Sequence, residues 1–230
     1  MAGFKMHITV STLCGVGYGV ATVKALGHPI ETAFLAGGLT AFGGMLPDLD
    51  SDSGTPVREV SGLAAAVIPL LLYNRIAYAG LHHEAILAIL LASYLAIRYF
   101  LVWAFKRFTI HRGMFHSIPA MCIAGLLVYL AYDCPVAEQA TRYVLAVGLM
   151  LGFLSHLILD EIYSVEVGLL KVKVKSSSGT ALKFSSASPL ATGLCYGMLG
   201  ALIFLAYADY KNRTGTDPVA DRLNTWRGNR

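Results

Sequence analysis

Four short stretches of the 230-residue chain place metal-ligating and proton-transferring side chains at chemically useful intervals. The first is Leu46-Pro47-Asp48-Leu49-Asp50-Ser51-Asp52-Ser53. Pro47 disfavours the helical region for Leu46, so a preceding helix is expected to end there. In an extended segment residues two apart point the same way, which would let Asp48, Asp50 and Asp52 converge. Carboxylates that close repel one another unless a cation or hydrogen-bond donors balance them. A solvated turn is the plainer alternative. An EF-hand start is not supported: Ser53 stands where its glycine is expected, and no bidentate Glu follows at the required offset.

The second stretch is His111-Arg112-Gly113-Met114-Phe115-His116-Ser117. At about 100° per residue, two histidines five apart do not share a helical face. Gly113 permits a turn that would bring them together. The planar donors of Arg112 suit a phosphate or carboxylate. Interfacial histidines without a ligand are the alternative. The third is His156 and Asp160 in Ser155-His-Leu-Ile-Leu-Asp-Glu161, an i, i+4 pair on one helix face, about 6 Å apart along the axis. Both can ligate, or Asp160 can orient the imidazole from behind. A simple His–Asp hydrogen bond at a helix end is the other reading. The fourth is His7, which gains weight only from its company. His28, His82, His83 and Glu84 read as interfacial loop residues, because adjacent histidines project apart on a helix and no carboxylate cluster joins them.

The elements that must position these groups are membrane helices. Hydrophobic residues make up 56% of the chain and charged ones 14%, against about 25% charged in an average soluble domain. That composition excludes a soluble globular domain and a disordered chain. Apolar blocks fall at roughly 8–27, 30–46, 60–79, 84–105, 117–132, 143–159 and 190–208. The blocks at 8–27, 60–79 and 84–105 reach the length of about 20 residues that a bilayer requires, whereas 30–46, 117–132 and 143–159 are short. Inside lipid only helices satisfy their own backbone, so the expectation is an all-α polytopic transmembrane bundle of about 5–7 membrane helices. Lys-Val-Lys-Val-Lys alternates with period two, so 165–175 and 180–184 are expected to form a small extramembrane β-hairpin turning at Ser176–Gly179. Residues 1–210 would be one membrane domain and 211–230 a polar, basic, flexible tail.

Threading the blocks up and down brings His7, the Pro47–Gly54 loop, the His111–His116 loop and the end of block 143–159 to a single face. That face also carries Lys5, Arg58, Lys106, Arg107, Arg112, Lys171, Lys173, Lys175 and Lys183, against Lys24, Arg75 and Arg142 in the opposite loops. The bias toward Lys and Arg places it in the cytoplasm. Lys5 is the only early charge and no small-residue cleavage site follows it, so a cleaved signal is not expected. Cys14, Cys122, Cys134 and Cys195 form no CxxC pair and read as small hydrophobes. A net charge of +4 is small, and no nucleic-acid partner is expected.

A His near the N-terminus, then LPDLDSDS, then HRGMFHS, then GFLSHLILD resembles the YdjM-type family of bacterial inner-membrane-associated, LexA-regulated, predicted metal-dependent hydrolases, over about residues 5–190. The resemblance implies a metal role for His7, Asp48, Asp50, His111, His116, His156 and Asp160, and a distant link to zinc-dependent phospholipase C and related nucleases.

Imidazole and carboxylate donors suit zinc, with manganese or iron as alternatives, and the donor count would serve two or three ions. The expected activity is a phosphoesterase-like, metal-dependent hydrolysis at the lipid boundary on an amphiphilic or phosphate-containing substrate. Asp48 or Asp52 would act as general base, and Arg112 would hold the anionic group. Two other readings remain: a divalent-cation carrier or sensor, since intramembrane ionisable groups often mark ion paths, and buried His–Asp pairs that merely tie helices together.

Overall fold

A computed structural model describes residues 3–50, 54–77, 79–101, 114–133, 139–167, 172–174, 182–186 and 188–214. Among the described residues seven α-helices carry the fold: α1 Phe4–Lys24, α2 Ile30–Gly43, α3 Gly54–Ala77, α4 His83–Leu95, α5 Ile118–Ala131, α6 Gln139–Ile162 and α7 Pro189–Thr214. Among the described residues four helical segments are long and apolar enough to cross a membrane: Phe4–Lys24, Val57–Ala77, Gln139–Ile162 and Pro189–Arg213. Ile30–Gly43 and Ile118–Ala131 are apolar but shorter.

Block 143–159, expected to be short, lies inside the 24-residue α6. Counting apolar residues missed the extension because Arg142, the charge that ends the block, is buried and neutralised by Asp209, with Nη1 2.6 Å from Oδ2. Block 84–105 begins as α4 and runs into a π-helical stretch, Ala96–Leu101. There Arg98 donates from Nη1 to Ser61 Oγ on α3 at 3.0 Å.

The centre of the molecule is α6. Leu145, Leu149, Phe153 and Leu157 recur every four residues and are fully buried, forming one apolar stripe. A second stripe, Gly148, Gly152, His156 and Asp160, has the same spacing and faces α2. A Cβ at Gly152 would overlap the Thr40 carbonyl of α2, and one at Gly43 would overlap the Leu149 carbonyl of α6. These glycines bring the two backbones into contact, the usual way helices associate where lipid removes the hydrophobic drive between them. Gly15 of α1 meets Gly37 of α2 in the same manner, and α1 reaches α6 as well, Tyr18 donating to the Val144 carbonyl at 2.9 Å.

The 3-10 turn Leu46–Asp50 follows α2. This replaces the extended segment expected there. A 3-10 turn does not align positions two apart, so the alternation that was to gather Asp48 and Asp50 does not apply, and Asp52 lies outside the described residues. The structure likewise does not support the hairpin expected from strands at 165–175 and 180–184. Two three-residue strands, β1 Val165–Val167 and β2 Val172–Val174, pair antiparallel with Val165 opposite Val174. Lys183 instead bridges Ser117 in parallel, its carbonyl accepting from Ile118 N at 3.2 Å. The first amides of α5 lack helical acceptors, and this strap supplies one while the Ser117 hydroxyl accepts from Ala120 N. Helix α7 runs through Thr214, so residues 211–214 are helical, and Arg213 is ion-paired with Asp133 at 2.7 Å.

At the end of the bundle away from the 3-10 turn, Arg142 is 1% exposed, donates to the Tyr129 carbonyl from Nε and Nη2, and lies over the Tyr129 ring at 4.0 Å. Replacing it strands a buried carbonyl and removes a partner of Asp209. Arg142→Gln is therefore expected to cost about 3–5 kcal/mol, read as a lowered unfolding midpoint in detergent. An unchanged midpoint would show that the buried guanidinium is not holding α5, α6 and α7 together.

Candidate metal centre

Five of the seven residues implied as ligands meet at one end of the bundle or border it. His7 lies in the first turn of α1, Asp48 in the 3-10 turn after α2, His116 just before α5, and His156 and Asp160 near the end of α6. His7, His116, His156 and Asp160 are buried, with exposures of 2%, 3%, 1% and 6%. His7 and His156 stack with centroids 3.7 Å apart and planes 12° apart, and His116 meets His156 edge-on at 5.6 Å.

The tautomer of His156 follows from its backbone partner. Its Nδ1 lies 2.7 Å from the carbonyl oxygen of Gly44, which can only accept, so Nδ1 carries the proton and Nε2 presents a lone pair. That lone pair faces carboxylates: Asp160 Oδ2 at 3.7 Å and Asp48 Oδ1 at 3.9 Å. His7 Nε2 stands 3.3 Å from the other Asp160 oxygen. Buried His156 Nε2, His7 Nδ1 and Asp160 Oδ1 make no hydrogen bond among the described residues. A lone pair such as that of His156 Nε2, turned toward anionic oxygens in a dry site, is repelled, and a shared cation reverses the sign of that interaction. Two overlapping triads result, His7–His156–Asp160 and Asp48–His116–His156, each with candidate ligand atoms within 4.8 Å of one another. The residues thus fit a divalent ion by donor type and by placement.

Asp160 turns out to face Nε2 of its helix neighbour rather than to orient the ring through Nδ1. The orienting group is the Gly44 carbonyl, which sequence reading missed because a backbone acceptor leaves no side-chain signature. A faint signal existed in the period-four run Gly148, Gly152, His156, Asp160, where the glycines announce the close approach that delivers the α2 terminus to the imidazole. His111, Arg112 and Asp52 lie outside the described residues, as does the side chain of Asp50. His82, His83 and Glu84 are exposed and join no candidate metal group among the described residues.

A model of the YdjM inner membrane protein family matches residues 1–206. The chain belongs to that family. No match to it was found among the curated proteins or among the solved structures. Membership and the four apolar helices make this a membrane protein, and the YdjM match covers every element that contributes to the imidazole cluster.

Proposed function

We propose that this membrane protein is a metal-dependent hydrolase acting on a phosphoester of an amphiphilic substrate. One observation carries the reading: the buried Nε2 lone pair of His156, fixed by the Gly44 carbonyl, faces two carboxylates beside two further imidazoles. His7, His116, His156 and Asp160 would hold the ion. Nε2 has a single lone pair and belongs to both triads, so the triads share one ion rather than taking two. Zinc, manganese and iron all accept such a donor set. When bound, the ion would supply an acidified water and a Lewis acid for the phosphoryl oxygen. Asp48 is the more open carboxylate, 15% exposed against 5% for Asp160, and is placed to take the proton from water. Arg112 remains the proposed holder of the substrate's anionic group, and the proposed cytoplasmic placement of the site is supported by the bias of Lys and Arg toward the loops on its side.

The test is release of phosphate or a phosphorylated headgroup from phospholipid by the purified chain, with zinc or manganese added. Turnover that disappears with chelator, and in His116→Ala, supports hydrolysis. Metal flux into proteoliposomes without any turnover would replace it with the carrier reading. That reading lacks support at the opposite end of the bundle, where among the described residues three guanidiniums meet two carboxylates and would repel a cation.

A further inference from the structure

The two helices α6 and α7 both pack on α5 and stand apart from each other along most of their length. Between them runs a cleft of about 570 Å³, within the range of about 300–1,000 Å³ typical of ligand sites. Its walls are apolar, with small residues such as Gly125, Ala146 and Ala206 making the room. One end is ringed by Tyr129, Tyr143, Tyr207 and Tyr210. Tyrosines collect where a bilayer's headgroups begin.

Directly beyond that ring lies the charged cluster. Arg142 stacks on Tyr129 and binds Asp209, and Arg213 binds both Asp209 at 3.0 Å and Asp133 at 2.7 Å. Arg75, at the end of α3, reaches both through Nη2, donating to Asp209 Oδ1 at 3.5 Å and lying 3.6 Å from Asp133 Oδ2, and its buried Nε has no acceptor among the described residues. Among the described residues three guanidiniums stand against two carboxylates, which leaves one positive charge in surplus, and Arg75 makes the longest ion pairs of the three. Along α6, fourteen residues separate Arg142 from His156, about 21 Å of helix, so this cluster is remote from the imidazoles.

We propose that the α6–α7 cleft binds one anionic phospholipid, with an acyl chain along the cleft and the phosphate on Arg75 at the tyrosine-ringed end. The guanidinium fork is matched to phosphate oxygens, and the apolar cleft is matched to a hydrocarbon chain. A neutral lipid satisfies only the second requirement and a free phosphate only the first. The site is independent of the imidazole cluster and of any hydrolysis there.

Native mass spectrometry of the full chain in neutral detergent, with equimolar phosphatidylglycerol and phosphatidylcholine, tests this. The wild type should retain phosphatidylglycerol about tenfold over phosphatidylcholine, the factor expected of one charge-assisted contact. Arg75→Gln should bring the ratio to about one by the same reasoning. Ala206→Phe, which fills the cleft and leaves the charges alone, should lower retention of both lipids. Inorganic phosphate should not displace the lipid, and metal content should be equal in all samples. A wild-type ratio near one, an Arg75→Gln ratio equal to wild type, or displacement by inorganic phosphate with Ala206→Phe unaffected would each overturn the proposal. If Arg75→Gln fails to fold, the wild-type ratio and the Ala206→Phe result decide it.

Discussion

His156→Ala loses metal affinity by more than about a hundredfold, the upper end of what displacing a mere supporting group costs. Both triads contain His156, and its Nε2 is the atom on which both carboxylates converge. Removing the ring also leaves Asp48 and Asp160 facing each other across a dry space with no cation to hold them. Elemental analysis of the purified chain reads the loss directly. Thermal unfolding reads it a second way, since a ligand at a hundred times its Kd stabilises by about 2.7 kcal/mol. Zinc or manganese should therefore raise the unfolding midpoint of the wild type and leave that of His156→Ala where it was. His82→Ala, exposed and outside both triads, should behave as wild type. A His156→Ala chain that keeps its metal, or a wild type whose midpoint ignores both ions, would return the cluster to a set of helix-tying His–Asp contacts.

Much of that cluster was visible in the amino-acid sequence, for a simple reason. In a membrane the helices must run up and down, so the parity of the crossings decides which loops share a face. That rule alone carries His7, Asp48, His116 and His156 to one end although they are scattered over 150 positions. The same rule does not describe the backbone between crossings. The turn after α2 is 3-10 rather than extended, and the strap that closes on Ser117 was read as the return strand of a hairpin. Nor does parity find groups that act through the main chain, such as the Gly44 carbonyl. The charged cluster at the other end was hidden differently. Arg75 and Asp209 are 134 positions apart, and each looks like an ordinary helix-end charge until the fold brings these two ends of α3 and α7 together.

Gly152→Ala separates these two levels, because it touches no ligand and yet sits one helical turn below His156 on the same stripe. Its new methyl would overlap the Thr40 carbonyl and crowd the amide of Gly44, so α2 must move away from α6. Overpacking of a close contact costs about 1–3 kcal/mol. The movement has a chemical consequence as well. The end of α2 supplies the Gly44 carbonyl that holds Nδ1–H, and it leads directly into the turn that carries Asp48. Loss of that orienting contact should weaken metal binding by about 10–100-fold. The expected outcome is a folded chain with a lower unfolding midpoint and a right-shifted metal titration, with the proposed phosphoester turnover restored at high metal. Gly17→Ala, where a Cβ meets nothing within 4 Å, is the matched control and should change neither quantity. If Gly152→Ala were destabilised but bound metal as tightly as wild type, the α2 terminus would be only a packing element, and the tautomer of His156 would have to be set by something other than Gly44.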